Sequence, residues 1–373
     1  MRHIRLIPLL PLLALLSCAG NEAIAPDKDD SGQEILYTLA PVKTVTRSGE
    51  ENVLTRAAQF SNFPADSVFG VKAYYLPTGK TWALRHSEAD LYIDTERISR
   101  GGEVWKAWES GMTYYWPHSG RLSFYSWAPY NLLDRGLSVD KENGLQIKDW
   151  TVIPEAGYGG GTDYGRVTSS DGSVDILTAG TYDVSGSGDA SYSGGVGIRF
   201  SHALCKVRFL ISVDYDDPDK NWTVEKAVLR DIYTAGDFSG GTWGNHSGLC
   251  DYTFVPESTD PLKAGVFTEI FPKTMMLPQP VSSTVSGTAK RIPRIEVTCW
   301  DGVSMKEEDG VKVKDSRVLT GVLYSNTSGL LRWKEGTNVT YHLYISSGAE
   351  NYIEFDASTS QWENVNGGDV ELK

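Results

Sequence analysis

Four thiols, six imidazoles and two acidic runs are the groups in this 373-residue chain with chemistry to offer. The histidines (His3, His86, His118, His202, His246 and His342) are scattered, and no two have the spacing of shared metal ligands. Cys205, Cys250 and Cys299 lie too far apart for a zinc pattern. With Cys18 set aside, three thiols allow at most one disulfide. Cys205 and Cys299 sit inside apolar alternations and read as buried thiols. Asp214-Tyr215-Asp216-Asp217-Pro218-Asp219 gathers hard oxygen ligands of the kind Ca²⁺ takes, in a pattern that equally describes a solvated turn. Asp27-x-Asp29-x-Ser31-Gly32 begins like a calcium loop, but Thr38 stands where the bidentate Glu belongs. The chain has no P-loop, Gly-x-Ser-x-Gly, His-Glu-x-x-His or dinucleotide fingerprint. No catalytic residue, cofactor or metal site is therefore expected. Trp105-Lys106-Ala107-Trp108 and Tyr114-Tyr115-Trp116-Pro117 have the side chains to stack on sugars or to fill a core.

Cys18 is the thiol with a defined chemical setting. Arg2 and Arg5 precede an apolar run from Leu6 to Leu16, the layout of a secretory signal peptide. A helix of that length spans about 17 Å, roughly half the hydrocarbon thickness of a bilayer. Leu15-Leu16-Ser17-Cys18-Ala19-Gly20 resembles a lipobox, in which a small residue precedes a cysteine that receives lipid and becomes the new amino terminus. Several buried acyl chains at about 0.8 kcal/mol per methylene anchor firmly. Residues 1–17 are thus expected to be a lipoprotein signal peptide, and 18–34, acidic and poor in large apolar groups, a disordered tether.

The elements behind the tether read as strands. Net charge is −13, so no basic stripe is available for nucleic acid. Glycine (38), Tyr (19) and Trp (11) are abundant, which with short β-branched runs favours an all-β protein. Period-2 segments bounded by turn residues recur at Ile35–Ala40, Val68–Leu76, Met112–Trp116, Leu122–Ala128, Arg199–Val213 and Thr223–Ile232. Others follow at Val266–Phe271, Arg291–Trp300, Arg317–Leu323, Thr337–Ile345 and Tyr352–Ala357. Ser87–Ile98 has room for one or two helical turns. The Gly- and Ser-rich stretch 158–197 places a boundary near Gly195, giving an amino-terminal sandwich over 35–195 and a carboxy-terminal one over 196–373.

Specific segments then look familiar. Val68-Phe69-Gly70-Val71-Lys72-Ala73-Tyr74-Tyr75, Tyr114-Tyr115-Trp116-Pro117 and Leu122-Ser123-Phe124-Tyr125-Ser126-Trp127-Ala128-Pro129 resemble the amino-terminal half of fimbrillin-like proteins. Phe200-Ser201-His202-Ala203-Leu204-Cys205-Lys206-Val207-Arg208-Phe209 resembles the strand opening their second half. Leu331–Leu343 and Phe355–Trp362 resemble their last strand regions. The resemblance implies two transthyretin-like Greek-key β-sandwich domains in tandem behind the lipidated tether. It also implies a place in type V fimbriae as a major or minor subunit. Such subunits are exported as lipoproteins and cut after an arginine beyond the first strand. They then polymerise by donor-strand exchange.

Ile35, Tyr37 and Leu39 are the candidate removable strand. Arg47 and Arg56 are both candidate cleavage sites. Trp362, Val365, Val370 and Leu372 are candidate donor-strand residues, while Tyr352–Ala357 is as well suited to completing its own domain. Expected partners are other fimbrial subunits, in a homo- or hetero-polymer, and the outer membrane through the lipid on Cys18. Host or bacterial surface ligands are a further class. The expected location is the cell outer membrane, facing outward, and then the fimbrium. Shaft, anchor and tip roles stay open. The alternative is a monomeric surface lipoprotein that binds glycans through exposed Tyr and Trp.

Overall fold

The computed structural model describes residues 32–39, 63, 67–102, 104–107, 110–152, 174–186, 195–215, 219–256, 258, 260–286, 289–324, 330–346 and 353–361. Cys18, Arg47, Arg56, Trp362, Val365, Val370 and Leu372 lie outside them.

Eight strands form one sheet. Their order is β10 (Ser201–His202), β8 (Leu177–Val184), β5 (Arg121–Ala128), β2 (Phe69–Leu76), β3 (Asp90–Gly101), β4 (Val104–Lys106), β1 (Tyr37–Leu39) and β9 (Val196–Ile198). The sheet folds over along β3, whose residues Asp90–Ile98 pair with β2 and whose residues Ser99–Gly101 pair with β4. Strands β4, β1 and β9 thereby lie across β2 and β5 and enclose a core that includes Phe69, Val71, Ile93, Leu122 and Phe124. At the other margin Thr181 Oγ1 of β8 donates to the Gly197 carbonyl of β9 at 3.2 Å, so the two ends of the sheet meet.

A second sandwich packs two further sheets. One runs β14 (Thr268–Met276), β11 (Cys205–Val213), β21 (Thr337–Ile345) and β22 (Glu354–Gln361). The other runs β20 (Arg317–Val322), β17 (Arg294–Trp300), β12 (Thr223–Ser239), β7 (Gly144–Thr151) and β6 (Leu137–Asp140), with β13 (Thr242–Phe254) paired to β12. Two ribbons complete the described strands, β15 (Thr284–Ser286) with β16 (Ala289–Arg291), and β18 (Met305–Glu308) with β19 (Val311–Lys314). Sheet membership crosses Gly195 in both directions. Strands β6 and β7 hydrogen-bond into the sheet of β12, while β9 and β10 belong to the eight-stranded sheet.

Strand β5 shows why the sequence folds this way. Its alternation sends Leu122, Phe124 and Ala128 into the first core and Tyr125 and Trp127 into the second. A strand buried on both faces needs apolar or small residues at every position, and all but Arg121 are buried. Gly70 of β2 permits the packing. A Cβ there would come within 2.0 Å of the Trp127 ring, so only glycine lets the indole lie on the neighbouring strand.

The structure corrects the helical turns expected over Ser87–Ile98. The short helix α1 lies earlier, at Trp82–Arg85, followed by a 3₁₀ turn at His86–Glu88, and Asp90 onward is β3. Pairing to β2 buries Ile93 and Ile98 completely, which outweighs the local preference of the charged residues around them. Met112–Trp116 forms no ladder; Tyr115 makes an isolated bridge to Glu34.

Cys205, Cys250 and Cys299 are all free and buried. Burial pushes the Cys250 thiol up to about 11 and that of Cys299 to about 12. Among the described residues no group of three or more His, Cys, Asp or Glu is placed to hold a metal. Asp216, Asp217 and Pro218 of the acidic turn lie outside them.

Asp301 closes the turn after β17. Its Oδ1 accepts from the backbone N–H groups of Val303 (3.1 Å) and Ser304 (2.7 Å), and its Oδ2 accepts from the Ser304 hydroxyl (2.6 Å). Burial raises its pKa, but the Ser304 and Val303 hydrogen bonds outweigh that and hold the carboxyl below its ordinary value. A carboxylate with a depressed folded pKa stabilises above its unfolded pKa, and that stability is lost as pH falls through the folded value. Asp301→Asn is expected to cost about 1 kcal/mol at pH 7 and to flatten the acid limb of the stability curve. Urea midpoints from neutral to acid pH measure both, and an unchanged acid slope would show that the turn carries no linkage.

Candidate functional site

The residues that converge on a structural site are those of the first strand. Residues 33–39 run extended through the amino-terminal sandwich. The Ile35 N–H donates to the Tyr114 carbonyl at 2.7 Å, and the Trp116 N–H donates to the Gln33 carbonyl at 3.0 Å. Beyond these, β1 is inserted between β4 and β9. It is antiparallel to β4, with Tyr37 opposite Trp105, and parallel to β9, with Tyr37, Thr38 and Leu39 opposite Val196, Gly197 and Ile198. It is thus an interior strand held by a short ladder. Taking it out leaves β4 and β9 about two strand spacings apart, near 9.6 Å, with an unpaired edge on each.

Side chains follow the period-2 rule. Ile35 and Tyr37 point inward and are each 3% exposed, while Leu39 is half-buried against the same core. The Tyr37 ring meets Phe69 and Phe124 edge-on, at 6.1 Å from each. Burial, then the proximity of Tyr114 and Glu96, drives its hydroxyl far above the ordinary tyrosine range. On the outer side Glu34 Oε1 accepts from Lys106 Nζ at 2.9 Å, tying the entry of the strand to β4. At β9 the fit depends on Gly195. Its φ is +119°, and a Cβ there would lie 2.7 Å from the Leu36 carbonyl. The Val196 N–H donates to that carbonyl at 2.7 Å, a contact that a side chain on residue 195 would disturb.

Sequence reasoning did not single out Phe63. It is 5% exposed, stacks on Phe200 at 5.7 Å and 10°, and meets Phe69 and Trp105 edge-on. In the chain it follows both Arg47 and Arg56, so a cut at either arginine would separate it from β1 and leave it in the core. Its Phe-rich neighbourhood, Phe60 to Phe63, was the only sequence signal. Of the aromatic clusters, Trp105 is buried in this core and Tyr114 and Trp116 pack against it, so these act as core side chains. Trp108 lies outside the described residues.

At the other end of the chain, β22 pairs with β21 from Glu354 opposite Tyr344 to Gln361 opposite Thr337. Ile353 is buried, and Phe355 and Ala357 pack against the second core. Tyr352–Ala357 therefore completes its own sandwich from Ile353 onward. Strand β22 is the outermost of its sheet, and Ser358–Gln361 are exposed on both faces.

No family model and no curated protein matches this chain. Solved structures do. A fimbrial protein from Bacteroides vulgatus is 15% identical, is covered over 100% of its length, covers 88% of this chain and superposes with a TM-score of 0.51. A protein from Parabacteroides distasonis with a cell-adhesion description is 8% identical, with 90% of this chain and 99% of that one covered and a TM-score of 0.49. The tip fimbrial protein Mfa3 from Porphyromonas gingivalis, truncated at its carboxy terminus, is 10% identical over 80% of this chain and 95% of that one, with a TM-score of 0.33. This is an all-β protein of packed sandwiches, and its fold is that of the Bacteroides vulgatus fimbrial protein.

Proposed function

We propose that this chain is a structural subunit of a type V-like fimbria. It is exported as a lipoprotein on Cys18, cut after Arg47 or Arg56, and assembled by donor-strand exchange at the outer membrane. The observation that carries this reading is the seating of β1. An interior strand with two buried side chains and a short ladder is joined, through both candidate arginines, to a core residue that stays behind. Cleavage would release Cys18 and β1 together and open a groove floored by Phe69 and Phe124 between the edges of β4 and β9. A strand from a neighbouring subunit would restore both ladders and refill the Tyr37 site. Four or five buried side chains at about 1.5–3 kcal/mol each stabilise such a joint by on the order of 10 kcal/mol before ordering costs. Trp362, Val365, Val370 and Leu372 supply apolar residues for that strand, with Val370 and Leu372 at the period-2 spacing of one strand face, beginning just after the exposed end of β22. The fold shared with a fimbrial protein supports the same reading.

Limited digestion of the unlipidated chain with an arginine-specific protease tests it. The expected result is one early cut at Arg47 or Arg56, then a ladder of SDS-resistant multimers that shortening the chain after Gln361 abolishes. A cleaved chain that stays monomeric, or resistance at both arginines, overturns the proposal.

A further inference from the structure

Where the two sandwiches abut, part of the outer face of β8 is left uncovered and borders a cleft of ≈ 950 Å³. That is the size of a small-ligand site. One wall is aromatic and is drawn from three separate elements. The rings of Trp82 from α1 and Tyr182 from β8 lie parallel, 13° and 6.0 Å apart. Tyr125 of β5 stands edge-on to both, 5.9 Å from Trp82 and 5.6 Å from Tyr182. The Trp82 N–H donates to Asp183 Oδ1 at 2.8 Å, which fixes α1 against β8. Trp82 and Tyr125 are buried, whereas Tyr182 is 47% exposed, so Tyr182 is the ring that solvent reaches. The rest of the lining includes Arg199 and Glu142, both exposed and neither in an ion pair among the described residues.

We propose that this cleft binds a neutral oligosaccharide. A pyranose lays its C–H face on an aromatic ring, and Tyr182, braced from behind by two further rings, is such a platform. Sugar hydroxyls donate to a carboxylate and accept from a guanidinium, and Glu142 and Arg199 offer one of each. Their opposite charges leave the lining without a strong sign, and the chain as a whole carries −13, which disfavours sulfated or sialylated glycans and nucleic acid. Strand β1 does not line the cleft, so sugar binding and fimbrial assembly stand or fall separately.

Saturation-transfer NMR on the full chain with maltotriose, cellotriose, mannotriose and chitotriose, each at about 10 mM, reads weak binding directly. At least one is expected to bind with a millimolar or lower Kd. Tyr182→Ala is expected to weaken it by about tenfold while lowering the thermal midpoint by only a few degrees, since the ring is half exposed but packs on Trp82 and Tyr125. No saturation transfer from any of the four overturns the proposal. Binding that Tyr182→Ala leaves unchanged overturns it too, as does tighter binding of 3′-sialyllactose than of every neutral sugar.

Discussion

Replacing Tyr37 by alanine is expected to destabilise the amino-terminal sandwich by about 3–5 kcal/mol. The phenol ring is 3% exposed and wedged edge-on against Phe69 and Phe124. Its removal forfeits the transfer energy of a large side chain and leaves a cavity that Trp105, on the opposed strand, is too constrained by Phe63 and Phe69 to fill. Tyr37→Phe keeps the ring and is expected to cost under about 1.5 kcal/mol. Urea unfolding of the intact chain separates the two variants. A loss below about 1 kcal/mol for the alanine variant would mean that β1 contributes little to the core it enters. Under the proposed assembly, the position would also separate an uncut chain from processed multimers. If β1 leaves after cleavage, the same alanine substitution weakens the uncut chain and has no effect on processed multimers, whose groove is filled by another strand.

The second large effect belongs to the carboxy-terminal sandwich. Trp333 is fully buried, and its Nε1–H donates to the Tyr341 hydroxyl at 3.0 Å. That hydroxyl in turn donates to the Leu323 carbonyl at 3.1 Å, and the Tyr341 ring stacks on Phe209 at 4.7 Å and 10°. The relay joins β11, β21 and the segment just after β20 through the middle of the core. Trp333→Ala is expected to cost about 3–5 kcal/mol for the lost ring and its cavity, and about 1 kcal/mol more for the broken relay. Trp333→Phe, which keeps most of the volume and loses the N–H, isolates the smaller contribution. Near-ultraviolet circular dichroism through a urea titration follows both. The effect should reach β22, because β21 supplies all of its ladder partners. Hydrogen exchange along Glu354–Gln361 should therefore rise in Trp333→Ala and stay near the parent level in Tyr37→Ala. Equal rises in both would show that the two cores unfold as one unit.

How much was legible beforehand differs element by element. The alternation in Leu122–Ala128 marked β5 and its two faces correctly, because a period of two is a local property of the chain. The alternation of Cys205, Val207, Phe209, Ile211 and Val213 with more polar neighbours, and the regular pattern of Thr337–Ile345, were equally readable. Strand β8 lies inside the Gly- and Ser-rich stretch 158–197 and is not legible in the sequence, since Tyr182 and the glycine and threonines around it carry no periodic signal. Strand β3 is not legible in the sequence, where Ser87–Ile98 has room for helical turns, because its charged residues hide the pairing that places it beside β2. Of the first-strand site, Ile35, Tyr37 and Leu39 were legible from their spacing. Phe63 and Gly195 were not, because their roles depend on what passes beside them.

The sequence by itself determined that the body is all-β, that Cys205 and Cys299 are buried within strands, and that an apolar strand lies ahead of two arginines. Each follows from composition and from short-range order along the chain. Only the tertiary structure decided that β1 is an interior strand between β4 and β9, that β6 and β7 join the sheet of β12 across Gly195, and that Trp82, Tyr125 and Tyr182 share one wall. The physical reason is that periodicity fixes which side chains share a face. Which strand lies next to which is settled by burial between residues far apart in the chain, and no local pattern records it.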